Sequence, residues 1–199
     1  MVIVKILVSI FIFAVGWKMV KLREPEYSAG IPETRKRFSC GVAILYMLLA
    51  TCAQHQETWH EAILHSLFWA SMSLCAWCDY MTTEVYDFLY LPALLSGSML
   101  LYICDTGHIL PDVVVFVVIH ILLFRKLFGA SDCIAFCICA LYMAGFGKRI
   151  EAYIWLMLYV HLIFMVVQLL TGNISRKFRL KKSKPLIPYI AITILLMGT

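Results

Sequence analysis

The sequence predicts an all-α fold: a polytopic membrane helical bundle of about eight transmembrane helices, forming a single domain over residues 1–199, with both termini outside. Three observations predict it. The chain is 62% hydrophobic and only 15% charged, with a mean hydropathy of +0.86, which is more apolar surface than a soluble domain of this length can hide. Apolar runs recur along its whole length, and in hydrocarbon the backbone must satisfy its own hydrogen bonds, which selects helices. The cations collect in a few loops between those runs, as topology determinants do.

The runs place the spans at about 2–20, 38–54, 61–78, 84–104, 111–125, 131–146, 152–172 and 185–198. The first, within "MVIVKILVSIFIFAVGWKMV", has no small-residue cleavage pattern after its apolar stretch and reads as a retained helix. The fifth, sixth and last are short, which tilt or local bilayer thinning accommodates. The linker after the first span holds Lys18, Lys21, Arg23, Arg35, Lys36 and Arg37. Arg125 and Lys126 precede the sixth span. The loop "NISRKFRLKKSKP" adds Arg176, Lys177, Arg179, Lys181, Lys182 and Lys184. With eight spans, all of these fall on one side. Lys148 and Arg149 fall on the other, and Lys5 lies inside the first span. The basic side is therefore expected to be cytoplasmic. The net charge of +5 speaks to topology and not to nucleic acid. The eight cysteines lie mostly within apolar runs, where they pack as small hydrophobes and disulfides are not expected.

This topology sets the acids. Asp79 ends the third span and Asp132 opens the sixth, both at the cytoplasmic border. Asp87 follows Asp79 by about two turns, and Asp105 and Asp112 flank an outer loop. An acid at a membrane border is costly unless solvated or paired, so such acids are functional candidates. Two carboxylates facing each other share a proton. The ionised member activates a water and the neutral one donates a proton, which is the chemistry of an aspartic protease. The small residues Gly129, Ala130 and Ser131 leave room for a peptide backbone beside Asp132. A plainer reading stays open: an acid at a helix start caps it and favours its macrodipole, and Asp79 marks the aqueous boundary.

Three local patterns favour the catalytic reading. From Asp79 the chain runs "DYMTTEVYDFLYLP", near "GASDCI" stands Asp132, and "KPLIPYIAI" closes the sequence. Together they resemble type IV prepilin peptidases. That family's first aspartate is followed by D-x-x-x-x-x-(I/L/V)-P-(D/N), matched here by Asp79, Val85 and Asp87, with Pro92 as the later proline and Tyr86 at the family's proline. Its second aspartate lies in G-x-G-D-x-K, matched by Gly129 and Asp132, with Ser131 for the second glycine and Ile134 for the lysine. Its P-F-G-P-x-L-A segment is matched by Pro185, Pro188 and Ala191. The resemblance spans roughly residues 38–198 and keeps the family's order.

The resemblance implies a membrane aspartic endopeptidase in a prokaryotic cytoplasmic membrane. It would remove the basic leader of prepilins or pseudopilins at the cytoplasmic face, after a glycine. Asp79 and Asp132 would be the catalytic dyad, Gly129 and Ser131 would shape the backbone beside Asp132, and Pro185 and Pro188 would shape the nearby wall. The partners implied are the prepilin substrate and membrane lipid. No metal and no organic cofactor is expected. The paired C-x-x-C segment of methylating family members is missing; the sole C-x-x-C, Cys75–Cys78, lies in a predicted helix, and a structural zinc site needs more ligands. Ser131 adds a side chain beside the acid, and Ile134 removes a nearby cation.

Other features carry less. "CDTGHILPD" contains the D-T-G of soluble aspartic proteases, but those have a β-rich, two-lobed fold, and Asp105 falls on the outer side. His55, His60 and His65 recur every five residues, not at metal spacing, and are expected in or near an outer loop. His120 and His161 read as hydrogen-bonded packing residues within spans. Trp17, Trp59 and Trp155 suit interfacial anchoring. Glu24, Glu26, Glu33 and Glu84 are candidates for contact with a basic leader. Two rival functions share these features: a proton- or cation-coupled transporter or assembly factor using the same acids, and a presenilin-like intramembrane protease, whose Pro-Ala-Leu motif is not found after Asp132.

Overall fold

The computed structural model describes residues 1–23, 33–53, 58–125, 128–170 and 185–198. Among them the chain is helical, with no strand. The α-helices are α1 (Val2–Arg23), α2 (Glu33–Ala53), α3 (Trp59–Thr82), α4 (Leu91–Ile103), α5 (Leu110–Ile119), α6 (Ala130–Gly145), α7 (Ile150–Leu170) and α8 (Ile187–Leu196). Among the described residues, four helical stretches are long and apolar enough to cross a membrane: Val2–Leu22, Glu33–Ala53, Gly107–Phe124 and Ile150–Leu170. Asp87–Ile103, Ala130–Gly145 and Ile187–Leu196 are apolar but shorter. The chain is thus a helical membrane protein.

The helix α3 is the hub, packing against α1, α2, α4 and α8. Its composition follows from that position. Neighbouring helices surround it, so it carries buried Ser66, Ser71 and Ser73, which a lipid-facing helix would not favour. Ser66 donates to the Ala62 carbonyl, and Ser71 to the carbonyl of Leu89. A capping box starts the helix. The Glu61 N–H donates to Thr58 Oγ1 at 3.2 Å, and the Thr58 N–H donates to the Glu61 carboxylate at 3.4 Å. This early start corrects one expectation. His65 does not border a loop; it lies two turns inside α3, buried and hydrogen-bonded to Tyr142. His55 lies outside the described residues.

Close approach fixes α4 against α6. A Cβ on Gly145 would stand 2.6 Å from the Leu100 Cβ, and one on Gly97 would stand 3.1 Å from the Tyr142 backbone nitrogen. Small residues let membrane helices meet at this distance. The segment after α5, His120–Phe124, is a π-helical turn closed by the Arg125 N–H on the His120 carbonyl. His120 and His161 each bond through Nδ1 to a carbonyl four residues earlier, and their rings flank Phe136. At the opposite end of the bundle, Asp112 accepts from Arg149 Nε at 3.1 Å and from the Ile150 N–H at 3.4 Å. One carboxylate thereby joins the start of α5 to the start of α7.

Candidate functional site

The helix α3 ends just after Asp79. Thr83 adopts a left-handed conformation at φ 60°, and its N–H donates to the Asp79 carbonyl at 2.8 Å. Thr82 reinforces the turn by bonding the Cys78 carbonyl and the Glu84 N–H. The chain then passes through Tyr86 into a short 3₁₀ helix, Asp87–Tyr90, which feeds α4. Tyr86 occupies the prolyl position of the pattern at φ −75°, an angle proline itself adopts.

The Asp79 side chain points inward and is only 3% exposed. Its partners come from the far end of the sequence. The Ile187 N–H donates to Asp79 Oδ2 at 2.9 Å, and the Leu186 N–H also bonds this carboxylate. These N–H groups open α8, which has no side-chain cap of its own. An orphaned helix N-terminus is an anion site by virtue of its free donors and dipole, and Asp79 fills it. The prolines make the donors available. Pro188 stands at the second position of α8, where it has no N–H to satisfy and its fixed φ suits the first turn. Pro185 precedes the two donating residues.

Asp132 is the third residue of α6. Gly129 is the N-cap, in ordinary extended conformation, and its N–H bonds the Asp132 carboxylate. That is one half of a capping box; glycine has no side chain to complete the other. The backbone here is also anchored from outside. Tyr90 Oη donates to the Ser131 carbonyl at 3.0 Å. Asp132 is partly exposed, unlike Asp79.

The fold brings the two acids within electrostatic reach of each other. The charge of Asp132 acts on Asp79, and Tyr90 lies within electrostatic reach of both carboxylates. The start of α8, where Pro185 and Pro188 bracket Leu186 and Ile187, meets the end of α3 at Asp79, and the start of α6, with Gly129, Ser131 and Asp132, lies within electrostatic reach of that acid. Two contributors were not anticipated. Tyr90 holds the first turn of α6, and its signal was its place in the run between Asp79 and Pro92. The backbone donors of Leu186 and Ile187 carry no side-chain signal at all.

Other candidates lie elsewhere. Ile134, at the family's lysine position, is 37% exposed on the outer face of α6. Cys75 and Cys78 are buried free thiols, Cys75 one turn before Asp79 and Cys78 next to it. Among the described residues no cluster of three His, Cys, Asp or Glu side chains is placed to hold a metal. Glu33 is engaged within α2 by Arg37 at 3.3 Å and Lys36 at 4.0 Å. Glu24, Glu26, Lys126 and the basic residues of 176–184 lie outside the described residues. The Asp105 of the D-T-G run sits in the turn between α4 and α5, away from this site. The chain matches no protein-family model, no characterised protein and no solved structure.

Proposed function

We propose that the chain is an aspartic endopeptidase, similar to the type IV prepilin peptidases, that removes the basic leader of a prepilin or pseudopilin. The observation that carries this reading is that Asp79 and Asp132, on separate helices, lie within electrostatic reach of each other, with Asp79 held by the Ile187 N–H at 2.9 Å. The pair holds one proton. The ionised carboxylate takes a proton from water, whose oxygen attacks the carbonyl carbon of the scissile peptide. The neutral carboxyl protonates the leaving nitrogen as the C–N bond breaks. The backbone donors favour the charged form of their partner acid without adding a cation. Tyr90 and the α8 N-terminus position the two acids rather than react.

In this reading all eight helices lie in the cytoplasmic membrane of a prokaryote, with both termini outside and the dyad at the cytoplasmic face. Cleavage follows a glycine just before the substrate's apolar helix. Co-expression with a type IV prepilin tests it. Leader removal by the wild type, and its loss in both Asp79→Asn and Asp132→Asn, is the expected result; continued removal by both variants overturns the proposal.

A second reading, proton- or cation-coupled transport, draws on Lys5 and His65, which are 4% and 1% exposed and within electrostatic reach of each other. Such buried ionisable groups within a membrane are functional candidates. Flux in proteoliposomes without peptide cleavage would favour it.

A further inference from the structure

A groove of about 560 Å³ runs along the outer side of α6. It exists because α5 packs on α6 and α7 but barely on α4, which leaves α6 as the floor of a cleft between α4 and α5. Leu94, Val117, Ile121 and Leu141 make its walls. Leu94 and Ile121 are exposed at 42% and 54%, so the groove opens sideways, where the bilayer lies. From Ala130 to Leu141 the floor spans eleven residues of helix, about 16 Å at 1.5 Å per residue, or roughly half the hydrocarbon thickness.

The two charged residues that line the groove stand at one end of it. Asp87 opens the 3₁₀ turn before α4, and Arg125 closes the π-helical turn after α5. Both are exposed. Arg125 lies within electrostatic reach of Cys133 in the first turn of α6, so its charge bears on the groove floor. Neither Asp87 nor Arg125 makes an ion pair among the described residues, with each other or with a third group. The aromatic ring at this end is that of Tyr90, whose hydroxyl is engaged by the Ser131 carbonyl. Along the rest of its length the groove has no charged lining.

We propose that this groove binds one phospholipid with a zwitterionic, primary-ammonium headgroup: the ammonium on Asp87, the phosphate on Arg125 and an acyl chain along α6. The inference is independent of the peptidase reading. The charges select the headgroup. An anionic lipid would satisfy Arg125 but be repelled by Asp87, and a cationic segment would meet the reverse; a zwitterion answers both. The guanidinium fork matches a phosphate, and a primary ammonium offers N–H donors to the carboxylate. A quaternary ammonium has no such donors and is recognised by an aromatic cage, which a single tyrosine does not make. The length selects the tail. A groove roughly half as long as the hydrocarbon is thick suits the chain of a lipid in one leaflet, whereas a spanning helix of a partner needs about twice that length.

Native mass spectrometry of the full chain in detergent, titrated with dioleoyl phosphatidylethanolamine, phosphatidylcholine or phosphatidylglycerol, tests the site. The first lipid retained is expected to be phosphatidylethanolamine, bound about fivefold or more tighter than either of the others, the order that a partly exposed charge pair supplies. Asp87→Asn is expected to erase the preference over phosphatidylcholine. Arg125→Gln is expected to weaken all three lipids, because each carries the phosphate. Val117→Trp, which fills the groove, is expected to remove the first binding step; the two charge variants lie on the surface and decide the matter even if that variant fails to fold. Equal retention of the three lipids would mean an unspecific annulus and would overturn the proposal. So would tightest binding of phosphatidylglycerol, or a preference untouched by Asp87→Asn. A dimer that Val117→Trp dissociates would give the groove to a second copy of the chain and overturn it as well.

Discussion

The Ile187 N–H donates to Asp79 Oδ2 across 108 positions of sequence, at 2.9 Å. A buried carboxylate at the end of one helix thereby caps the start of another. The hub helix and the last helix are tied together at the acid that the sequence singled out first.

That bond can be removed without removing a side-chain contact to Asp79. Ile187→Pro deletes the N–H at the first position of α8 and also strains Leu186, whose α-region backbone at ψ −28° a following proline disfavours. Ile187→Ala deletes buried side chain and keeps the N–H. If the donor positions Asp79, leader cleavage falls at least about tenfold more in Ile187→Pro than in Ile187→Ala, as turnover by matched amounts of folded protein would reveal. Equal losses would mean that packing alone matters there.

Asp79→Ala leaves the α8 N-terminus without its acceptor. Loss of a cap costs about 0.5–2 kcal/mol. Asp132→Ala removes an acceptor from a partly exposed helix start and is expected to cost less. Thermal unfolding in detergent, followed by circular dichroism, should therefore rank Asp79→Ala below Asp132→Ala in stability, although both abolish cleavage.

Tyr90→Phe deletes the hydroxyl that bonds the Ser131 carbonyl. A typical hydrogen bond contributes about 0.5–1.5 kcal/mol. The structural effect is therefore small, but Asp132 loses its external anchor. The expected signature is a fall in kcat with KM little changed, read from steady-state cleavage of a prepilin; a rise in KM alone would assign Tyr90 to binding.

Gly145→Ala drives a methyl group toward the Leu100 Cβ, where only 2.6 Å is available. Overpacking of this kind costs about 1–3 kcal/mol. Gly147→Ala adds a methyl group in open space but at φ 74°, so its cost is backbone strain and not a clash. Melting temperatures of the two variants, with cleavage assayed alongside, separate α4–α6 spacing from turn geometry: only Gly145→Ala is expected to impair the site as well as the fold.

The helical architecture was legible because lipid imposes it: long apolar runs have no other way to satisfy their backbone, and α1, α2 and α7 follow the runs closely. The hub was harder to read. The serines and His65 of α3 look like features of a border helix, yet they are tolerated because protein, not lipid, surrounds them. Asp79, Asp132 and the Pro185–Pro188 segment were legible as side-chain patterns. What joins them was not: the donors on Asp79 are backbone N–H groups, which every residue but proline carries, and Tyr90 acts through a carbonyl. The groove between α4 and α5 arises from helices that fail to pack on each other, which no local pattern encodes.

The most direct test of the central claim is the mass of a type IV prepilin after incubation with the purified chain in proteoliposomes. The account predicts a product shortened by the basic leader and cut after glycine, formed by the wild type and by neither Asp79→Asn nor Asp132→Asn. An intact prepilin with the wild type, or the same shortened product with both variants, would contradict it.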